Sequence, residues 1–109
     1  VPTVDIIEKV ISIGDCSGKD TDKFKKFELT PLPASEVAAP LVKECLACLE
    51  CKIIDYIEEP GIFLLQGVKA WIDKERKERR TFHANGDGTF VVDGEKIDLH
   101  DLMEDKIPF

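Results

Sequence analysis

Apolar positions concentrate in two long runs, residues 41–57 and 62–72. They meet at Glu58-Glu59-Pro60-Gly61, a strong turn signal. Leu46 and Leu49 sit at helical spacing, but Cys51-Lys52-Ile53-Ile54-Asp55-Tyr56-Ile57 is rich in strand-forming residues. Strand is therefore the better reading for most of 41–57. The second run, from Ile62 to Ile72, reads as its partner, so the two make a long hairpin. Gly67 inside the second run predicts a bulge or a close approach of another group.

The rest of the chain has shorter periods. Val4-Asp5-Ile6-Ile7-Glu8-Lys9-Val10-Ile11 reads as a helix, with apolar residues 6, 7, 10 and 11 on one face. Thr3 is its candidate N-cap, Asp5 suits the first turn, and Gly14 is a natural stop. Residues 20–27 predict a second short helix with Phe24 and Phe27 on one side. Pro31, Pro33 and Pro40 make 29–40 an extended, ordered connector, without the Gly/Ser composition of a flexible linker. Asn85-Gly86-Asp87-Gly88 predicts a tight turn, 89–92 a short strand and Asp93-Gly94 another turn. Residues 98–103 predict a closing helix with Asp98 as N-cap. The expectation is a single domain over 1–109, mainly β with short helices (α+β), with no internal repeat.

Composition narrows the class. At 109 residues, 43% hydrophobic and 34% charged, the chain suits one modest core. No apolar run approaches the ~18 residues of a membrane span, and no secretory signal pattern is visible. The net charge of −7 argues against nucleic-acid binding, because an acidic surface repels phosphate backbones. The mixed-charge run Lys74-Glu75-Arg76-Lys77-Glu78-Arg79-Arg80 is best read as a solvated loop or helix turn, with a docking patch for an acidic partner as the alternative. Four cysteines without a signal peptide argue against a disulfide framework and place the protein by default in the cytoplasm. The chain begins at Val1 and not at Met, which fits a processed, cleaved or partly represented N-terminus.

Three patterns invite a chemical reading. Cys45-x-x-Cys48-x-x-Cys51 looks like part of an iron–sulfur run, but a cluster needs a fourth thiolate and a wrapping chain. On a strand, residues three apart face opposite sides, so these sulfurs would not converge. Packing as small hydrophobes is favoured, with a metal site or a redox-active thiol as alternatives. Residues 85–90 resemble the front of an EF-hand loop, but His83 and Gly94 would then occupy ligand positions that need acids. A β-turn fits better. His83 and His100, the only histidines, lack metal-ligand spacing and read as surface or hydrogen-bonded residues.

Five segments taken in order carry a family resemblance. They are Cys16-Ser17-Gly18-Lys19-Asp20-Thr21-Asp22-Lys23-Phe24, Leu29-Thr30-Pro31-Leu32-Pro33-Ala34, Ala39-Pro40-Leu41-Val42-Lys43-Glu44-Cys45, Leu49-Glu50-Cys51-Lys52 and Gly86-Asp87-Gly88-Thr89-Phe90-Val91-Val92-Asp93-Gly94-Glu95. Over residues 1–98 the chain resembles flavoredoxins and the wider flavin reductase-like, FMN-binding split-barrel family. The resemblance implies a partial split β-barrel, since family members carry further strands before the point where this chain begins. Those strands hold much of the FMN phosphate site and complete the barrel, so their absence would leave unpaired strand edges.

What the resemblance implies for function is an FMN-dependent oxidoreductase or electron carrier. It would pass electrons between a reduced nicotinamide, NAD(P)H, or a protein donor and an acceptor. Lys23 would place a cation near the FMN phosphate or the flavin N1 region. Ser17 and Gly18 would let a loop approach the cofactor, and Phe90 would lie against the flavin ring. For Lys23 the alternative is a solvated helix lysine, and for Phe90 a plain core position. Many relatives carry a histidine just before the Ile-Phe of the second long strand; here Pro60-Gly61 precedes Ile62-Phe63. The resemblance also implies a homodimer. The competing expectation is a truncated, non-catalytic β-rich oligomerisation or binding module that has lost flavin.

Overall fold

The computed structural model describes residues 1–106. A 3-10 turn, Val4–Ile6, leads into helix α1, Ile7–Ile13. Helix α2 covers Lys23–Lys26 and α3 covers His100–Met103. Among the described residues six strands form three two-stranded antiparallel sheets: β1 (Pro31–Leu32) with β2 (Leu41–Val42), β3 (Ala47–Ile57) with β4 (Ile62–Ile72), and β5 (Phe82–Ala84) with β6 (Phe90–Val92). The architecture is mainly β with a few short helices, and the sheets do not close into a barrel.

The long hairpin forms where the apolar pattern places it, and β4 has the predicted limits. Its turn holds Gly61 at φ +84°, a left-handed conformation that a side chain would strain. Two irregularities interrupt the ladder. Glu50 pairs with Lys69 but Cys51 pairs with Gly67, so Val68 is the extra residue on β4. Ile53 pairs with Leu65 and Asp55 with Leu64, which leaves Ile54 extra on β3. Gly67 is also a close approach, since a Cβ there would stand 3.4 Å from Leu49 Cδ1.

Several expectations need correction. The first long strand does not run from residue 41. Leu41 and Val42 pair with Leu32 and Pro31 in a separate ribbon, the chain turns through 43–46, and β3 starts at Ala47. The prolines of the connector make this short edge ribbon the available partner. The second helix is only Lys23–Lys26, because Asp22 caps it: its Oδ1 accepts from the Lys25 N–H at 3.2 Å. No turn forms at Asp93-Gly94; the chain runs on without regular structure to Leu99. The last helix is also shorter than expected, His100–Met103, and Leu99 rather than Asp98 holds its N-cap position; Asp98, one residue earlier, accepts from the His100 N–H on its Oδ1 at 3.0 Å.

Burial is sparse. Among the described residues Leu46 is the one buried apolar side chain, and the buried polar ones are Thr3 and Glu50. The accessible surface is 9013 Å², whereas a compact monomer of 12.2 kDa exposes about 6,100 Å². The radius of gyration, 16.6 Å, likewise exceeds the ~13 Å of a compact chain of this length. Many of the exposed large apolar side chains lie on the hairpin. The face that carries Leu49, Ile53, Tyr56, Phe63, Leu65 and Ile72 is open to solvent, with Ile53 66% exposed. Tyr56 and Phe63 stack there with ring centroids 4.5 Å apart.

Candidate functional site

The loop before α2 is built on Ser17. Its carbonyl accepts from the amides of Asp20 and Thr21 at 3.2 and 3.1 Å, and its Oγ accepts from the Lys19 amide at 3.2 Å. This folding brings Gly18 beside Lys23: a Cβ at Gly18 would lie 4.0 Å from Lys23 Cε. Lys23 Nζ donates to the Ile13 carbonyl at 2.9 Å. A cation at the C-terminal end of α1 is favoured by the exposed carbonyls there. Lys23 is thus a half-buried, directed ammonium with a neutral partner, and not a freely solvated helix lysine. Ile13, Lys23, Phe24, Leu29 and Val42 line an apolar recess of about 200 Å³ beside it.

Phe90 is placed differently. It opens β6 and meets Phe82 of β5 edge-on, with centroids 6.1 Å apart and planes at 77°. Among the described residues no hydrogen bond or aromatic contact links Phe90 to Ser17, Gly18 or Lys23. The fold therefore gathers Ser17, Gly18 and Lys23 into one corner and leaves Phe90 on its own hairpin.

Two clusters emerge only in three dimensions. Glu50 is 2% exposed, yet both carboxylate oxygens are occupied. They accept from the amides of Ser35, Glu36 and Val37 at 2.7–3.2 Å and from Trp71 Nε1 at 2.6 Å. Burial pushes the Glu50 carboxyl up, but the Trp71 indole and the three amides outweigh it and hold it at about 2. Glu44 repeats the device at the start of the connector, accepting the Thr30 amide on both oxygens at 2.8 and 3.0 Å. Burial opposes its charge too, but the Thr30 N–H keeps its pKa below the ordinary value. A proline-rich connector leaves its amides without ladder partners, and two carboxylates supply them. A lone acid within the apolar stretch 46–51 was the available signal for Glu50.

The second cluster ties the two ends of the chain's first three-quarters together. Arg76 turns inward from the charged run and donates to Thr3 Oγ1 at 2.7 Å and Asp5 Oδ2 at 2.7 Å. Thr3 is fully buried and makes no side-chain cap; its hydroxyl donates to Asp5. The Thr3 hydroxyl and then Arg76 outweigh burial and lower the Asp5 carboxyl. The Val4 amide donates to the Arg80 carbonyl at 3.0 Å and completes the seam.

The remaining candidates resolve locally. The 85–89 loop is a hairpin turn, with Gly86 and Gly88 at positive φ and Asp87 accepting from the Thr89 hydroxyl and amide. His83 pairs with Asp93 at 3.4 Å on the surface. Among the described residues no group of three acidic, histidine or cysteine side chains is arranged to hold a metal. No described helix is long and apolar enough to cross a membrane.

Comparison with known proteins fits this geometry. Residues 2–90 match the flavin reductase like domain. The fold superposes on flavoredoxin of Desulfovibrio vulgaris (Miyazaki F) with a TM-score of 0.78 and 25% identity, covering 90% of this chain and 58% of that one. An uncharacterized protein of Archaeoglobus fulgidus is 36% identical over 58 residues, 53% of this chain and 33% of its own. The uncharacterized protein YddH of Escherichia coli K12 is 28% identical, over 89% of this chain and 59% of its own. The chain thus spans less than two thirds of each of these relatives. With the ordered motifs, the half-open β architecture and a match over most of its length, the chain belongs to the flavin reductase-like family.

Proposed function

We propose that this chain is part of a flavin-dependent redox protein, binding FMN and passing electrons between a reduced nicotinamide or protein donor and an acceptor. The observation that carries the reading is the family match over residues 2–90, joined to a directed ammonium at the position the family motif assigns, Lys23. The residues present fit such a group. Lys23 is held by a neutral carbonyl, so it can turn to an anion without breaking an ion pair. Gly18 leaves space beside it, and the recess next to Lys23 is apolar.

When bound, the flavin supplies the electron-transfer chemistry. The chain's part is to bind and orient. Lys23 neutralises negative charge on the phosphate or on the N1 side of the ring, and Ser17 and Gly18 shape the loop; Phe90, on its own hairpin against Phe82, stands outside this corner. No side chain need act as a nucleophile or general base. A homodimer in the cytoplasm is part of this reading, and it would cover the open hairpin face.

The test is titration of FMN into the purified protein, read by flavin absorbance and fluorescence. Lys23→Gln should weaken binding about tenfold or more, as expected for loss of one charge-assisted contact. Equal affinity of the variant, or no FMN binding by the parent protein, would overturn the assignment. The open hairpin face favours a second reading, a β-rich oligomerisation module without flavin. A protein that self-associates but takes up no flavin would establish it.

A further inference from the structure

We propose that Cys45 and Cys48 form a dithiol–disulfide couple that exchanges two electrons with small aliphatic disulfides. On a continuous strand residues three apart would point to opposite faces. Cys45 is not on the strand. The chain bends at Cys45 and Leu46, and β3 begins only at Ala47.

The bend brings the two cysteines to one carbonyl. The Val42 oxygen accepts from the Cys45 amide at 3.1 Å and lies 3.5 Å from Cys48 Sγ. Both cysteines line the same recess of about 210 Å³, with Leu32, Leu41 and Val42 among its walls. Cys48 stands near enough that a charge on it opposes ionisation of Cys45. The other two cysteines are directed elsewhere. Cys51 Sγ lies 3.9 Å from the Leu49 carbonyl, on the other side of the pleat, and Cys16 Sγ lies 3.8 Å from the Ile13 carbonyl. All four are free thiols, half-buried and accessible to a small reagent.

The chemistry balances as thiol–disulfide exchange. The Cys48 thiolate attacks one sulfur of the external disulfide; that S–S bond breaks, and the first small thiol leaves with a proton from solvent. Burial pushes the Cys45 thiol up, against the N-terminal ammonium beside it, so Cys45 suits the second step. It releases its proton to solvent, its sulfur attacks Cys48 in the mixed disulfide, and the second small thiol leaves. The protein loses two electrons and two protons, and one external disulfide becomes two thiols. The apolar recess suits a small, flexible disulfide. The couple depends on no bound flavin.

The test equilibrates the protein in a series of oxidised-to-reduced glutathione ratios, then blocks free thiols by alkylation and fragments the peptide spanning 44–52. The expected result is reversible loss of two of the four alkylatable thiols, with the bond assigned to Cys45 and Cys48. Cys45→Ser should trap glutathione on Cys48, and Cys51→Ser should leave the couple intact. Retention of all four thiols, stable glutathione adducts on both cysteines without an internal bond, or a bond to Cys51 would each overturn the proposal. The first measurement uses the unmodified chain, so it stands even if a variant folds poorly.

Discussion

Trp71 donates a 2.6 Å hydrogen bond from its indole Nε1 to Glu50 Oε2 across the β3–β4 hairpin, and Lys69 Nζ lies 5.1 Å over the same indole ring. This joins a buried carboxylate, an aromatic donor and a cation at one point. Glu50 also holds the Ser35, Glu36 and Val37 amides, so the side chains that link β3 to β4 clamp the connector as well.

Glu50→Gln should loosen that clamp. The amide's NH2 cannot accept from the connector amides, so buried donors lose partners. The melting temperature should fall by about 5 °C or more, with altered Trp71 emission. An unchanged melting curve would show that the connector is held by other contacts.

Acid should act on the same point. The Glu50 carboxyl is depressed from an ordinary 4.5 to about 2, so its contribution to stability is complete above about pH 4.5. It is lost as pH falls from about 4.5 towards 2. Trp71 fluorescence followed through that window should show a transition that Glu50→Gln largely removes. The same titration in both proteins would count against the assignment.

Arg76→Ala should free the N-terminal segment from the charged run. Asp5 is half exposed, which weakens the ion pair, while the bonds to buried Thr3 retain their value. A loss of about 1 kcal/mol in urea denaturation is expected. Arg76→Lys should recover only part of it, because an ammonium cannot reproduce the guanidinium fork.

Glu28 closes α2 at φ 53°, the one described non-glycine residue in the left-handed region. Glu28→Gly should relieve that strain and raise stability by about 0.5–1 kcal/mol. Denaturant midpoints of the two proteins decide it.

The open hairpin face should drive self-association at micromolar concentration. Leu65→Lys places a charge in its centre, opposite Ile53. Light scattering after size exclusion should show the parent above 12.2 kDa and the variant shifted towards it. A parent that remains monomeric would remove the dimer from the functional proposal.

The features legible in the amino-acid sequence are local ones. Pro60-Gly61 and Asn85-Gly86-Asp87-Gly88 place their turns because few other residues tolerate those backbone angles. The apolar, β-rich run Ile62–Ile72 sets β4, and the ordered motifs carry the family. The tertiary structure alone decided what depends on distant partners. Leu41 and Val42 left the long strand because Pro31 and Leu32 offered a ladder. Arg76 left solvent because Thr3 and Asp5 lay within its reach. Cys45 and Cys48 came to share one recess because the chain bends before Ala47. Glu50 became a buried clamp because the β3–β4 register set Trp71 beside it and the connector supplied its amides. Hydrophobic pattern and turn chemistry act over a few residues, whereas the partner of a buried charge is chosen by register and chain path, which no short window of sequence contains.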